Sequence, residues 1–437
     1  MQSLTRRLLL ITGDVAMLFG AFFMMLPLAF PAGLSAEIID THLPPFFYVF
    51  LIWICVFFLF NFYQTELIKP TIPYLKKIGL AALTALSAST ILFYLVPYFG
   101  ITPKTNLVIF SGVFLLLFLT WRRFFYNIFS KYFRTSVVFI TDQAKDKSYT
   151  RELLHYMENY PQSGFRVLGV FHSLGEYLGK AGDQNIETLI ISRNVLNDDW
   201  QIKNVYNKIE NILDLTYTYE NILGKIPVDS IDEIWVLDNI RKTKKNFYQA
   251  TSYVFSILLI LVLLIILSPL LLIIALLIKL EDGGSVFYIQ PRVGKNGRIF
   301  NFYKFRSMVV GADKNGAEWT NKNDPRITKI GRLIRKVHLD EVPQFLNILK
   351  GDMVLVGPRP EIPSFEEKLE KEIKHYGLRN IITPGFTGWA QIKYRNARGL
   401  AESKEKFEYD LFYIKNRNIF MDLGILFRTI VIIFTHD

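Results

Sequence analysis

Long apolar stretches constrain the fold of this 437-residue chain more than any other feature. Four of them, at residues 8–30, 46–62, 78–98 and 107–128, occupy the first third of the sequence. Each is close to the roughly 20 residues that an α-helix needs to cross a bilayer. Hydrophobic residues also make up 51% of the chain. The sequence therefore predicts a multi-domain membrane protein whose residues 1–133 form a bundle of four transmembrane helices.

Basic residues around these stretches are concentrated on one side of the predicted bundle. Cytoplasmic loops of membrane proteins are enriched in Lys and Arg, so both ends of the bundle are expected in the cytoplasm. Lys104 lies on the opposite side, and Asp14 lies inside the first stretch. Asp14 is either a functional charge or the partner of a neighbouring helix. The residues expected on the cytoplasmic side are Arg6, Arg7, Lys69, Lys76, Lys77, Arg122, Arg123, Lys131 and Arg134.

A fifth apolar stretch, 253–278, contains Ser268 and Pro269 near its middle. Proline has no N–H for the helical hydrogen-bond ladder and its ring clashes with the preceding turn, so a sharp bend is expected there. A kinked helix that crosses the bilayer and a re-entrant helix that returns to the same side both fit this pattern. We favour the re-entrant helix because the chemistry indicated downstream needs a substrate from the cytoplasm.

Residues 134–245 show short Val- and Ile-rich runs that alternate with helical patterns, which predicts a Rossmann-like α/β domain. The loop after the first strand, 141–147, has no glycine, so dinucleotide binding is not expected. Packing or dimerisation is the expected role, and we expect a homodimer. Residues 216–237 are expected to be a linker that returns the chain to the membrane. The predicted strands are 136–140, 165–171 and 186–192, and the predicted helices are 150–160 and 198–213.

Composition excludes some kinds of site. Cys55 is the only cysteine, which excludes an internal disulfide and a cysteine-built zinc site. The six histidines do not fall at metal-ligand spacing. The net charge of +11 suits nucleic acid, anionic lipid or phosphorylated substrates equally well.

Two segments of the C-terminal third place basic residues together. The segment 299–308 reads IFNFYKFRSM and predicts a strand with Lys304 and Arg306 on one face. Such a pair suits a diphosphate, and a solvated strand face is the alternative. Next, Arg326 follows Asp324-Pro325, and 331–339 predicts an amphipathic helix. Its polar side, with Arg332, Arg335 and Lys336, either binds phosphate or is solvated. Its apolar side has Leu333, Ile334 and Val337.

The segment 338–349 reads HLDEVPQFLNIL and places two acidic residues side by side. Pro343 suits the first turn of a helix, so Asp340 and Glu341 are expected at a helix N-terminus. Carboxylates there suit a nucleophile or a Mg²⁺ ligand, although simple capping gives the same pattern.

Two further segments have rigid turns. In VLVGPRPE, 354–361, two prolines flank Arg359 and fix the backbone for a contact between its guanidinium and a phosphate. In TPGFTGWAQ, 383–391, two glycines and a proline precede Trp389, which is typical of a loop that lines a substrate. In both segments an ordinary surface turn is the alternative.

These motifs, in this order after the Ser-Pro helix, resemble the bacterial sugar transferase superfamily. The resemblance covers 246–437 and is to the polyprenyl-phosphate phosphoglycosyl transferases with a monotopic-type catalytic domain. The four leading spans and the α/β segment resemble its long members, the undecaprenyl-phosphate glucose or galactose phosphotransferases. The resemblance implies a re-entrant helix, 253–278, followed by a compact mixed, mainly helical catalytic domain. It further implies a bacterial inner-membrane protein with this domain on the cytoplasmic face.

The resemblance also implies a reaction. A sugar 1-phosphate would pass from a UDP-sugar to undecaprenyl phosphate, with release of UMP, as the first membrane step of exopolysaccharide, capsule or O-antigen assembly. Asp340 would be the nucleophile and form an aspartyl-phosphosugar, Glu341 would assist it, and both would bind Mg²⁺. Ser268 and Pro269 would shape the membrane helix, and no nucleic-acid partner is expected. A non-enzymatic membrane scaffold or regulator of polysaccharide assembly is the alternative. The implied substrate phosphate or nucleotide contacts are Lys304, Arg306, Arg326, Arg332, Arg335, Arg359, Glu361 and Gln391.

Overall fold

The computed structural model forms two compact units, Met1–Leu215 and Thr216–Asp437, which are taken separately below. It describes residues 2–31, 33, 35–60, 62–63, 72–95, 104–131, 134–161, 164–181, 186–195, 209, 211–240, 246–312, 324–394 and 399–435.

The first unit begins with four long apolar helices, as predicted. In the part of the chain that the structure describes, these four and a fifth helix in the second unit are long and apolar enough to cross a membrane. Residues 61 and 96–98 of the predicted spans, and Lys69, lie outside the described residues. The four helices are α1 (Gln2–Ala29), α2 (Ala36–Leu59), α3 (Ile72–Leu95) and α4 (Lys104–Lys131).

A buried ion pair joins α1 to α4. Nη2 of Arg122 lies 2.6 Å from Oδ2 of Asp14, and the two side chains are 2% and 1% exposed. The guanidinium also lies 4.7 Å from the ring centroid of Phe118. Asp14 is therefore the partner of a neighbouring helix, and Arg122 belongs to the bundle interior rather than to a loop. Removing either partner would leave an uncompensated buried charge.

The rest of the first unit contains a four-stranded parallel sheet in the order β2-β1-β3-β4. The three predicted strands and the predicted helix 150–160 are confirmed. Of the predicted helix 198–213, residues 198–208 and 210 lie outside the described residues. Its described end is a strand, because residues 211–214 pair in parallel with β3. The elements are β1 (Thr135–Ile140), α5 (Lys147–Asn159), β2 (Phe165–Phe171), α6 (Leu174–Ala181), β3 (Thr188–Ile191) and β4 (Asn211–Asp214).

The second unit mixes helices with two small sheets, the antiparallel pair β5–β6 and the parallel pair β7–β8. Its elements are α7 (Leu215–Leu223), α8 (Glu233–Ile240), α9 (Asn246–Asp282), β5 (Phe287–Val293), β6 (Ile299–Phe305), α10 (Lys329–Lys336), α11 (Phe345–Leu349), β7 (Val354–Val356), α12 (Pro363–Glu372), β8 (Gly385–Thr387), α13 (Trp389–Lys393), α14 (Leu400–Asn416) and α15 (Ile419–Thr435).

The segment 216–237 is folded and is not a linker, so that expectation is wrong. Val228 and Trp235 are buried in one apolar cluster with Ile373 and Phe407. Nζ of Lys415 donates to the carboxylate of Glu220 at 2.6 Å. The apolar residues of this segment therefore face the second unit rather than solvent. The division into three domains stays a prediction.

Helix α9 is uninterrupted for 37 residues, with Pro269 inside it. Oγ of Ser268 donates to the carbonyl of Ile265 at 2.9 Å, within the turn that Pro269 disturbs. Both ends of α9 contact the same unit. Near its start, Oγ of Ser256 accepts a hydrogen bond from the N–H of Leu355 at 3.2 Å. At its last residue, Asp282 forms an ion pair with Arg306.

Candidate active site

The two adjacent acids lie in a tight turn that follows α10. This helix packs so closely on the chain after β6 that a Cβ at Gly331 would lie 2.0 Å from the carbonyl oxygen of Ser307. His338 has a left-handed backbone (φ 54°) and starts the 3₁₀ turn Leu339–Gln344 that leads into α11. As predicted, Asp340 and Glu341 occupy the first turn of this helical segment.

Asparagine 347 ties this helical segment to the neighbouring strand. Its Oδ1 accepts from the N–H of Tyr303 at 3.1 Å, and its Nδ2 donates to the carbonyl of Asn301 at 2.6 Å. Asn347 is fully buried, so these hydrogen bonds are shielded from water. The acidic turn is thereby held beside β6, which presents Lys304.

Asp340 faces a cavity of about 700 Å³ between the β5–β6 hairpin, α10 and the start of α12. Its side chain is only 8% exposed. Burial raises the pKa of Asp340, while the charges of Lys304 and Arg335 oppose that shift. Three cations line this cavity with Asp340, namely Lys304, Arg306 and Arg335. A buried carboxylate among cations is a suitable environment for attack on a negatively charged phosphate.

Glu341 is held by two cations. Nη2 and Nη1 of Arg359 lie 2.5 and 3.2 Å from its Oε1 and Oε2. Nζ of Lys304 lies 3.0 Å from Oε1. Burial opposes the charge of Glu341, but Arg359 and Lys304 together outweigh it and hold the pKa of Glu341 well below its usual range. Glu341 is therefore an ionised group that fixes the position of both cations.

The remaining predicted basic residues do not all reach the cavity. Arg306 lines it, but its guanidinium forms an ion pair with Asp282 at the end of α9. Arg335 also lines it. Arg326 does not, because its Nη2 lies 2.8 Å from Oδ2 of Asp324 and this pairing lowers the pKa of Asp324 to about 2. Arg332 is exposed on α10 and is not among the cavity residues.

Helix α10 differs from its prediction in its apolar side. Ile334 is buried, as expected, but Leu333 and Val337 are 60% and 46% exposed. The helix contacts the second unit through one narrow face that includes Gly331, because Gly331 approaches Ser307 so closely. The two exposed apolar residues are therefore left on the outside of the unit.

Two polar residues of the predicted set lie in different surroundings. Glu361 lines the cavity and accepts from Nζ of Lys406 at 2.7 Å. Burial opposes its charge, but Lys406 and Arg379 outweigh burial and lower the pKa of Glu361. Gln391 is not a cavity residue, and its amide donates to the carbonyl of Phe386 at 3.1 Å. This contact stabilises the loop 383–391 itself.

Sequence reasoning missed one wall of the cavity. Tyr288, Gln290 and Arg292 alternate along β5 and all line it. Arg292 donates to the amide oxygen of Gln290 at 2.9 Å and to the carbonyl of Pro360 at 3.0 Å. The period of two in this segment was the available signal, since alternate residues of a strand share a face.

A second missed residue is Arg379, which is 3% exposed. Its Nη2 donates to the carbonyl of Arg359 at 2.7 Å and to Oδ2 of Asp410 at 3.1 Å. Arg379 therefore fixes the backbone of the residue whose side chain holds Glu341. It is a positioning residue, and no local pattern in the sequence marks it as one.

Comparison with known proteins places this chain in a family. Residues 247–436 match the family model described as bacterial sugar transferase. A protein of Bacillus subtilis (strain 168) is 42% identical over 175 residues, which are 40% of this chain and 91% of that protein. Its name is "Putative undecaprenyl-phosphate N-acetylgalactosaminyl 1-phosphate transferase". The chain belongs to the bacterial sugar transferase family. The predicted resemblance is confirmed.

Longer relatives extend the similarity. The UDP-N-acetylgalactosamine-undecaprenyl-phosphate N-acetylgalactosaminephosphotransferase of Aeromonas hydrophila is 38% identical over 216 residues, 49% of this chain and 50% of that protein. The UDP-glucose:undecaprenyl-phosphate glucose-1-phosphate transferase of Escherichia coli (strain K12) is 30% identical over 310 residues, 66% of each chain. The match to this bacterial sugar transferase thus spans half to just under two thirds of these two relatives.

The expected Mg²⁺ fits Asp340 better than Glu341. Mg²⁺ in proteins is commonly held by one or two carboxylates together with substrate phosphates. The Asp340 carboxylate faces the cavity and interacts with Lys304 and Arg335 through charge alone. Both oxygens of Glu341 already accept from Arg359. Among the described residues no three His, Cys, Asp or Glu side chains are grouped so that they would hold a metal by themselves.

Proposed function

We propose that this bacterial sugar transferase moves a sugar 1-phosphate from a UDP-sugar to undecaprenyl phosphate and releases UMP. The observation that carries the proposal is Asp340, a buried carboxylate that faces a cation-lined cavity of about 700 Å³. Several relatives are named for the same kind of transfer, with glucose, galactose or N-acetylgalactosamine as the sugar. The reaction would be the first membrane step in the assembly of a surface polysaccharide.

The transfer takes two displacements at one phosphorus. An oxygen of the Asp340 carboxylate attacks the phosphorus that bears the sugar, the bond from that phosphorus to the bridging oxygen breaks, and UMP leaves. An oxygen of undecaprenyl phosphate then attacks the aspartyl-phosphosugar. The bond to Asp340 breaks, and the free carboxylate is restored. Each nucleophile and each leaving group is an oxygen anion, so neither displacement needs a net proton transfer.

The surrounding charges support these displacements without reacting themselves. Lys304 and Arg335 lie where they stabilise the negative charge of the diphosphate. Glu341 keeps Lys304 in place, because it accepts a hydrogen bond from Nζ of Lys304 and is itself held by Arg359. Mg²⁺, when bound at Asp340, neutralises part of the diphosphate charge.

We further propose that α9 is re-entrant and that the active site lies on the cytoplasmic face. Ser256 and Asp282 both contact the second unit. A helix that crossed the bilayer would separate these contacts by the roughly 30 Å of the hydrocarbon core. Between them, Ile265 and Leu272 are 74% and 72% exposed, as suits the lipid-facing part of the helix. A cytoplasmic site is also the one that UDP-sugars reach.

The test is UMP release from membranes supplied with undecaprenyl phosphate and a panel of UDP-sugars. We expect Asp340→Asn to reduce UMP release by at least about 10³-fold, because an amide is not a nucleophile. The matched control is Asp229→Asn, since Asp229 is 52% exposed and pairs with Lys404 far along the chain. The control should retain wild-type release.

A phosphosugar adduct on the wild-type protein, absent from Asp340→Asn, would separate a nucleophile from a metal ligand. Substantial release by Asp340→Asn would exclude the covalent mechanism. If neither protein releases UMP from any UDP-sugar, the scaffold alternative is favoured over the enzyme.

A further inference from the structure

A second cavity, of about 420 Å³, lies beside the first turns of α9 and shares no lining residue with the cavity at Asp340. Its wall is formed by α9, the turn after β5, the loop before β7 and the end of α14. The lining residues used below are Tyr248, Ala250, Tyr253, Lys295, Tyr413 and Arg417.

Two cations line this cavity. Arg417 is only 4% exposed, and its guanidinium lies 5.8 Å from the ring centroid of Tyr248. Burial lowers the pKa of Arg417, so its charge is poorly solvated. Lys295 is exposed on the β5–β6 turn. A desolvated cation in a cavity gains most from an anionic group that can accept its hydrogen bonds.

The nearby carboxylate is already occupied by hydroxyl groups. Oδ2 of Asp422 accepts from the hydroxyl of Tyr248 at 2.5 Å, and Oδ1 accepts from the hydroxyl of Tyr413 at 2.8 Å. Asp422 is 6% exposed and is not among the cavity residues. The cavity wall itself therefore carries positive charge.

Exposed apolar side chains border the cavity on two sides. Val254 and Phe255 directly follow Tyr253 on α9 and are 54% and 45% exposed. On α15, Phe420 is 83% exposed only three residues after Arg417. A small inorganic anion would make no use of this surface, whereas an amphiphile would place its acyl chains against it.

We propose that this cavity binds the phosphate of an anionic phospholipid headgroup, with the acyl chains along the exposed faces of α9 and α15. The ligand class follows from the combination of two cations and the adjoining apolar surface. The site is separate from the transfer reaction, so it stands or falls independently of the proposed function.

The test is native mass spectrometry of the full chain in detergent micelles with added phosphatidylglycerol, phosphatidylcholine or inorganic phosphate. We expect a bound phosphatidylglycerol on the wild-type protein. Lys295→Gln should weaken its binding about fivefold, which corresponds to roughly 1 kcal/mol for one basic residue near a lipid surface. Ala250→Trp, which fills the cavity without changing its charge, should abolish binding. The matched control Lys371→Gln removes an exposed cation on α12 and should leave binding unchanged.

Unchanged phosphatidylglycerol binding in both cavity variants would overturn the site. So would an equal loss in the Lys371→Gln control, because binding would then follow surface charge in general. Displacement of the lipid by inorganic phosphate at similar concentration would assign the cavity to a soluble anion instead. UMP release should persist in Ala250→Trp, which separates this test from that of the transferase activity.

Discussion

Asp340 and Glu341 are neighbours in sequence, yet their surroundings shift their pKa values in opposite directions. Burial raises the pKa of Asp340, and the two cations bound to Glu341 outweigh burial and lower the pKa of Glu341. Pairs of carboxylates separated in this way commonly divide the roles in an active site. Here the cavity-facing residue suits the reacting group, and the paired residue suits the ion that organises the cations.

The pH dependence of UMP release should report on Asp340. Only the ionised carboxylate is a nucleophile, so activity should fall as the pH falls through its pKa. Lys304 lowers that pKa more than Arg335 does. In the activity that remains, Lys304→Met should therefore move the acid limb to higher pH, and Arg335→Gln should move it by less. Profiles of kcat/KM from acidic to neutral pH give the comparison, and a shift toward lower pH in either variant would contradict it.

At the residue scale the sequence identified the reacting pair but not all of its partners. The motif LDEVPQ is local, so its acids and their turn could be predicted from spacing. The fate of Arg326 could not, since its charge is taken up by Asp324 rather than by the cavity. Arg292 and Arg379 depend on contacts across 68 and 20 residues, to Pro360 and Arg359. Such contacts are set by tertiary packing and leave no local pattern.

Among the elements, α10 depends on the absence of one side chain. A Cβ at Gly331 would lie 2.0 Å from the backbone oxygen of Ser307, which has no freedom to move away. Gly331→Ala should therefore lower the free energy of unfolding by about 2 kcal/mol or more. Gly424→Ala in α15 is the matched control, because a Cβ there meets nothing within 4 Å.

The control should be neutral or stabilise the helix by up to about 1 kcal/mol, since alanine favours helix over glycine. Urea unfolding in detergent measures both changes. Equal stability of the two variants would show that α10 does not pack on Ser307 as described.

The topology of α9 is testable by cysteine labelling from outside intact cells, in a chain whose Cys55 is replaced. A cysteine at Glu281 should stay unlabelled, because both ends of α9 are proposed to be cytoplasmic. Replacing Ser268 with Leu and Pro269 with Ala should straighten the helix, expose that cysteine and abolish UMP release. A cysteine at Ser35, between α1 and α2, is the positive control. Strong labelling at Glu281 with Ser268 and Pro269 intact would mean that α9 crosses the membrane.

On the scale of the whole molecule, the second unit should require residues 215–240. Val228 and Trp235 are buried against Ile373 and Phe407. A chain beginning at Leu215 should fold in detergent and release UMP. A chain beginning at Asn246 should be less stable by at least about 3 kcal/mol, because it exposes these side chains. Thermal unfolding and UMP release of the two chains test this, and equal melting temperatures would contradict it.

The sequence was informative about the first unit and less so about the start of the second. Apolar runs and strand–helix alternation are local, so four helices and three strands were predicted close to their observed bounds. The stretch 216–237 contains turns and few long apolar runs, which is also typical of a linker. Its role follows from contacts such as that of Lys415 with Glu220, 195 residues apart in sequence. No short window of sequence contains both partners.

The contact of Tyr248 with Asp422 joins residues 174 positions apart, and this separation has a consequence for biosynthesis. A ribosome that adds about 5–20 residues per second needs roughly 9–35 s to cover that distance. During this interval α9 has already left the ribosome, while its partner on α15 does not yet exist. The path of α9 is therefore set by its own residues, with Ser268 and Pro269 foremost, before the C-terminal helix arrives. Asp422 retains an arrangement that it had no part in choosing.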